Sequence, residues 1–179
     1  MTNGVLVVGY GSSLRTDDGL GWHAAQRLAE DPRFVGMSVL QRHQLTPELA
    51  LDISAAALVI LLDASSALPP GKVVVEQVDR ADGAAQSWSH HLSPAALVSL
   101  SHELYGRAAE VYVVSCGAQS MDIGDRLSPV AEAALPKMLD AVEELVACHN
   151  GGGNLATEVA QLASGLPACT QFSDRKLEK

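Results

Sequence analysis

The stretch that most constrains this chain is VLVVGYGSSLRTDDGLG at residues 5–21. Residues 5–9 form a short apolar run without polar interruption, the mark of a strand covered on both faces. A glycine turn follows, and then Leu20, Ala24, Ala25 and Leu28 recur at helical spacing. This predicts a strand–turn–helix unit, with the helix over 17–30 and stopped before Asp31-Pro32. The unit delivers two adjacent carboxylates, Asp17 and Asp18, to the carboxyl rim of a sheet. Everything downstream can be weighed by asking what else arrives at that rim.

The rest of the chain repeats the alternation. A second strand is predicted over 37–41 and a helix from Thr46-Pro47 to about Ser54, with Thr as cap and Pro at the first helical position. Residues 57–62 (ALVILL) are the strongest buried-strand signal, and they end on Asp63. A strand over 72–78 follows through the Leu68-Pro69-Pro70-Gly71 turn. That connection is too short for a parallel crossover, so the strand is expected antiparallel at an edge. Ser93-Pro94 opens a helix to about Tyr105, residues 110–115 form a fifth strand, and Ser128-Pro129 opens a long helix to about 147.

The predicted architecture is a three-layer α/β/α sandwich on a five-stranded, mostly parallel twisted sheet with one antiparallel edge strand. Right-handed crossovers place strands one and three side by side, with strand two outside. Ligands of such open sheets collect at the carboxyl ends of strands where the order reverses. Residues 1–148 read as one α/β domain, and 149–179 as a flexible linker and tail holding at most a short helix near 155–163.

Composition narrows the function. At 179 residues the chain can bury about 70% of its unfolded surface in one core. A formal net charge of −9 argues against nucleic-acid or anionic-membrane partners, which need clustered Lys and Arg. Cys116, Cys148 and Cys169 are widely spaced, giving neither a disulfide framework nor a zinc ribbon. With no secretory pattern at the N-terminus and no apolar run near 20 residues, a cytoplasmic protein is expected. A monomer is the default.

Asp17 and Asp18 can be ordinary helix-start acids, complementing the helix dipole. Asp63 is harder to dismiss, because an unpartnered carboxylate ending a buried strand is costly. His90 and His91 lie in the loop before the Ser93 helix, whose start can approach the same rim. Two carboxylates and an imidazole together would suit a borderline divalent metal such as nickel or zinc. A dinucleotide fingerprint fails, since Leu14 stands where its third glycine belongs. There is no phosphate-binding G-x-x-x-x-G-K motif, no H-E-x-x-H and no G-x-S-x-G. Cys116 reads as a small buried thiol, and His23 and His102 as surface or boundary residues.

Four segments together resemble the hydrogenase maturation proteases: residues 7–21, 58–64 (LVILLDA), 89–94 (SHHLSP) and 127–130 (LSPV). The first is the most specific, being similar to a G-x-G-N-x-L-x-x-D-(D/E)-G-x-G signature, with Ser12 in place of the usual Asn. The resemblance spans about residues 5–148. It implies an endopeptidase that trims the C-terminal extension of a nickel–iron hydrogenase large-subunit precursor after nickel insertion. The nickel would come with the precursor and serve as its recognition feature, with no organic cofactor.

Carried over residue by residue, the family's metal ligands fall on Asp18, Asp63 and His90, with His91 as the alternative; His90 fits the H-x-L pattern through Leu92. Asp18 and Asp63 are also the catalytic candidates. Asp17 or Asp18 would be the first choices for a base acting on water. One departure stands out: Arg42-His43-Gln44-Leu45-Thr46 replaces a common Gly-Gly-Thr turn, which brings His43 into consideration at the rim. A non-cleaving assembly factor on the same fold and a nucleotide-binding Rossmann-like domain are the competing readings.

Overall fold

The structure is a computed structural model, described here for residues 4–80 and 92–151. Within these residues one sheet has the strand order β2-β1-β3-β5-β4. The strands are β1 (Val5–Tyr10), β2 (Ser38–Arg42), β3 (Leu58–Ser65), β4 (Val73–Gln77) and β5 (Glu110–Gly117). All neighbours pair in parallel except β4, which runs antiparallel to β5 at the edge. Strands one and three are adjacent with strand two outside, as the crossover rule requires.

Helices cover both faces. α1 (Leu20–Glu30) and α4 (Pro129–Gly151) pack on one side, and α2 (Leu49–Ala55) and α3 (Pro94–Tyr105) on the other. The continuous apolar run of β3 explains itself here. Leu58, Ile60 and Leu62 enter the α1/α4 core, while Val59 and Leu61 enter the α2/α3 core. Ile60, Leu61 and Leu62 are fully buried, each contributing about 1.5–3 kcal/mol through lost contact with water.

Two helix starts follow the predicted chemistry. The Ser93 hydroxyl accepts from the Ala96 N–H at 3.2 Å, and Ser128 accepts from Ala131 at 3.2 Å. Elsewhere the boundaries differ. Thr16–Gly19 forms a 3₁₀ turn, so α1 proper begins only at Leu20. Thr46-Pro47-Glu48 is a run of tight turns, with Leu49 N–H bonded to the Thr46 carbonyl at 3.1 Å, and Thr46 does not cap α2. α4 continues through His149 and Asn150 to Gly151, past the expected end near 147. The tail beyond it, including the helix expected near 155–163, lies outside the described residues.

Candidate active site

The strand order reverses between β1 and β3: from β1 the chain steps outward to β2, while β3 lies on its other side. The crevice beyond the carboxyl ends of these two strands is where an open sheet can hold a ligand. Two glycines bring α1 against it. A Cβ on Gly21 would collide with the carbonyl oxygen of Leu62, and one on Gly11, whose φ is +130°, with that of Asp18. The glycine turn is therefore a device for close approach, and it sets Asp18 beside the end of β3.

Asp63 occupies that end, half-buried. The register pairs Gly9 with Leu62, so Tyr10 and Asp63 are the next neighbours across the two strands. Alternation along each strand turns both toward the α2/α3 side, where Tyr10 packs against the core. The Tyr10 hydroxyl donates to the Asp63 carboxylate, and the Ala64 N–H donates to it at 2.8 Å. Burial nevertheless pushes the Asp63 carboxyl above the ordinary carboxylate range, the charge of Asp18 adds to this, and the two hydrogen bonds do not cancel them. Burial, and then the charge of Asp63, raise the Tyr10 hydroxyl far above its usual value, so it remains a protonated donor.

Asp18 is also half-buried and accepts the Ser12 N–H at 2.9 Å. The bond uses the backbone of Ser12, so a serine here supplies the same donor as any other residue. Asp17 points the other way and is fully buried. One of its oxygens accepts the Ser128 N–H at 2.7 Å. The other accepts the Ser128 hydroxyl at 2.8 Å and the N–H groups of Gln119 at 2.8 Å and Ser120 at 3.1 Å. Burial alone would raise this carboxyl, but the bonds from Ser128, Gln119 and Ser120 outweigh it and hold the group below its ordinary value. Asp17 thus neither caps its own helix nor faces the crevice; it fastens the β5–α4 loop to the first loop.

Comparison with solved structures places this architecture. The chain superposes on the NiFe hydrogenase maturation protease HycI of Thermococcus kodakarensis with a TM-score of 0.63 at 20% identity, over 79% of this chain and 91% of that one. For the hydrogenase maturating endopeptidase HybD of E. coli the TM-score is 0.60 at 21% identity, over 83% and 93%. For the hydrogenase 2 maturation peptidase of a Thaumarchaeota archaeon it is 0.57 at 24%, over 79% and 97%. The fold is that of the hydrogenase maturation proteases. No family model matches the sequence, and no curated protein does.

On this maturation-protease fold the predicted residues separate. Asp18 and Asp63 come together at the crevice, while Asp17 does not join them. His90 and His91 lie outside the described residues. Among the described residues no three His, Cys, Asp or Glu side chains group as a metal site. The Arg42–Thr46 turn is at the rim, where the Arg42 carbonyl accepts the Gly11 N–H at 3.2 Å, but His43 is exposed. Cys116 is fully buried, and burial raises its thiol, which fits an inert packing role. His23 is half-buried and sits edge-on to Trp22 at 5.1 Å. It lines a cleft of about 500 Å³ between α1 and the start of α4, which shares no lining residue with Asp18, Asp63 or Tyr10.

Tyr10 is the site residue that sequence reading passed over. Within 5–10 it reads as an ordinary strand former. The signal was available: setting 5–10 parallel to 58–63 puts Tyr10 beside Asp63 with the same side-chain parity.

Proposed function

We propose that this chain is an endopeptidase that removes the C-terminal extension of a nickel-loaded hydrogenase large-subunit precursor in the cytoplasm. The observation that carries the reading is the meeting of Asp18 and Asp63 at the switch point of this fold. The neighbours are named as hydrogenase maturation proteases and endopeptidases, which supports the reaction class. Among the described residues no helix is long and apolar enough to cross a membrane, which agrees with a non-spanning enzyme.

In this reading nickel arrives with the precursor, and Asp18, Asp63 and His90 contact it. Hard carboxylate oxygens with one imidazole suit a borderline divalent ion. Asp63 is the candidate general base, through an oxygen that the metal would leave free, while Asp18 stays a ligand. Asp17 is a poor base because its oxygens are occupied by four donors. Tyr10 orients the base. The precursor's metal would polarise the scissile carbonyl as water attacks.

Incubating the purified protein with nickel-loaded precursor and following the products by mass spectrometry tests this. A shortened large subunit and one released C-terminal peptide are expected. An intact precursor that stays bound to the protein would instead mark a non-cleaving assembly factor.

A further inference from the structure

The first loop contains one backbone position that its own residue type disfavours. Thr16 has a φ of +39°, the left-handed region, where β-branched residues are seldom found. A glycine would take this conformation without strain. The threonine is held there by the β5–α4 loop. Its N–H donates to the Gly124 carbonyl at 3.0 Å, and Gly124 returns a bond to the Leu14 carbonyl at 3.0 Å. Its hydroxyl donates to the Ser120 carbonyl at 2.7 Å, with the Asp122 carbonyl at 3.3 Å as a second acceptor. Its methyl lies against Gly124, where a Cβ would come within 2.7 Å of it. Strain of this kind persists where the surroundings over-determine it, and it concentrates at functional sites.

The direction of the chain after Thr16 explains what the clasp achieves. It sends Asp17 inward to Ser120 and Ser128, and Asp18, one residue on, outward to the crevice and the Ser12 N–H. Adjacent side chains diverge in a 3₁₀ turn, and the conformation before them sets which carboxylate faces inward. The bonds of Asp17 pin its own side chain, whereas the Thr16 clasp fixes the turn that carries Asp18. We propose that Thr16 is a positioning residue for Asp18: its hydroxyl, clasped to the Ser120 carbonyl, holds the strained turn that aims Asp18 at the reacting centre. The inference rests on the endopeptidase reading for its consequence, but not for its geometry.

The test uses the full chain with Thr16→Val, Thr16→Ser and Thr16→Gly. None of the three removes the Asp17 N–H that donates to the Ser120 carbonyl at 3.1 Å in this chain, and glycine relieves the backbone, so at least that variant folds. Two readouts are taken. The first is the amide proton shift of Ser12, which reports its bond to Asp18 and is calibrated by Asp18→Asn. The second is the kcat and KM for processing of nickel-loaded precursor. Thr16→Val and Thr16→Gly should move the Ser12 amide toward its Asp18→Asn position and lower kcat about tenfold with KM little changed, as expected when a reacting group is misplaced. Thr16→Ser should restore both. An unmoved Ser12 amide in Thr16→Val and Thr16→Gly overturns the proposal, and so does a moved amide with wild-type kcat. If the wild-type chain processes no precursor, the endopeptidase reading fails, and the amide readout still decides whether Thr16 places Asp18.

Discussion

Asp17 and Asp63 are both carboxylates at the same end of the sheet, and they are built to opposite ends. Asp17 is buried among four donors, and its pKa is held down. Asp63 is half-buried with two donors, a like charge from Asp18 and a raised pKa. The first is a satisfied ion whose removal would leave N–H groups unpaired. The second is an ion kept short of partners, which costs stability and leaves capacity for a ligand or a proton. Burial alone does not set the two apart; the count of donors does.

The largest expected effect is on activity. Asp63→Asn and Asp18→Asn should each lower precursor processing by at least about a hundredfold, the scale of losing a general base or a ligand to the reacting group. Asp63→Asn should remain folded, and relief from the raised-pKa position should increase stability in urea unfolding at neutral pH. A wild-type processing rate in both variants would break the contrast from the reactive side.

Next comes stability. Asp17→Asn replaces one carboxylate oxygen with an amide N–H₂, leaving at least one of the four donors without its acceptor, and it should cost about 3 kcal/mol in the same unfolding measurement. The fraction that remains folded should still release peptide. The pH dependence sharpens the difference. The pKa of Asp17 is lowered on folding, so its contribution is fully present above the ordinary carboxylate value near about 4 and is lost as pH falls through the folded pKa. That of Asp63 is raised, so its contribution is lost as pH rises from about 4 through the folded pKa. The acid limb of the wild-type stability curve should therefore flatten in Asp17→Asn and steepen in Asp63→Asn.

The smallest effect belongs to Tyr10→Phe. It removes one donor from Asp63 and keeps the ring in the α2/α3 core. Processing should fall several-fold and the pKa governing its pH profile should rise, since a hydrogen bond to the charged form is lost. An unchanged profile would remove Tyr10 from the site.

Much of the framework was legible in the sequence for local reasons. The uninterrupted runs at 5–9 and 57–62 announce strands buried on both faces, and the short Pro-Pro-Gly connection requires an antiparallel β4. Asp63 stood out because a charge ends an apolar run. What stayed hidden depends on partners remote in the chain. Asp17 looked like a helix-start acid, whereas its donors at Gln119, Ser120 and Ser128 lie 102, 103 and 111 residues away. Propensity argues against a left-handed Thr16, and only the loop at 120–124 makes that conformation tenable. Helix-start reasoning also placed a cap at Thr46, where the chain prefers successive tight turns.

The central claim is that Asp63 serves the reaction while Asp17 serves the fold. The most direct test is the rate of peptide release from nickel-loaded precursor by Asp63→Asn and Asp17→Asn, each normalised to its folded fraction. The account predicts no detectable peptide from folded Asp63→Asn and a rate within a few-fold of wild type from folded Asp17→Asn. The reverse ranking, with Asp63→Asn active and folded Asp17→Asn inactive, would contradict it.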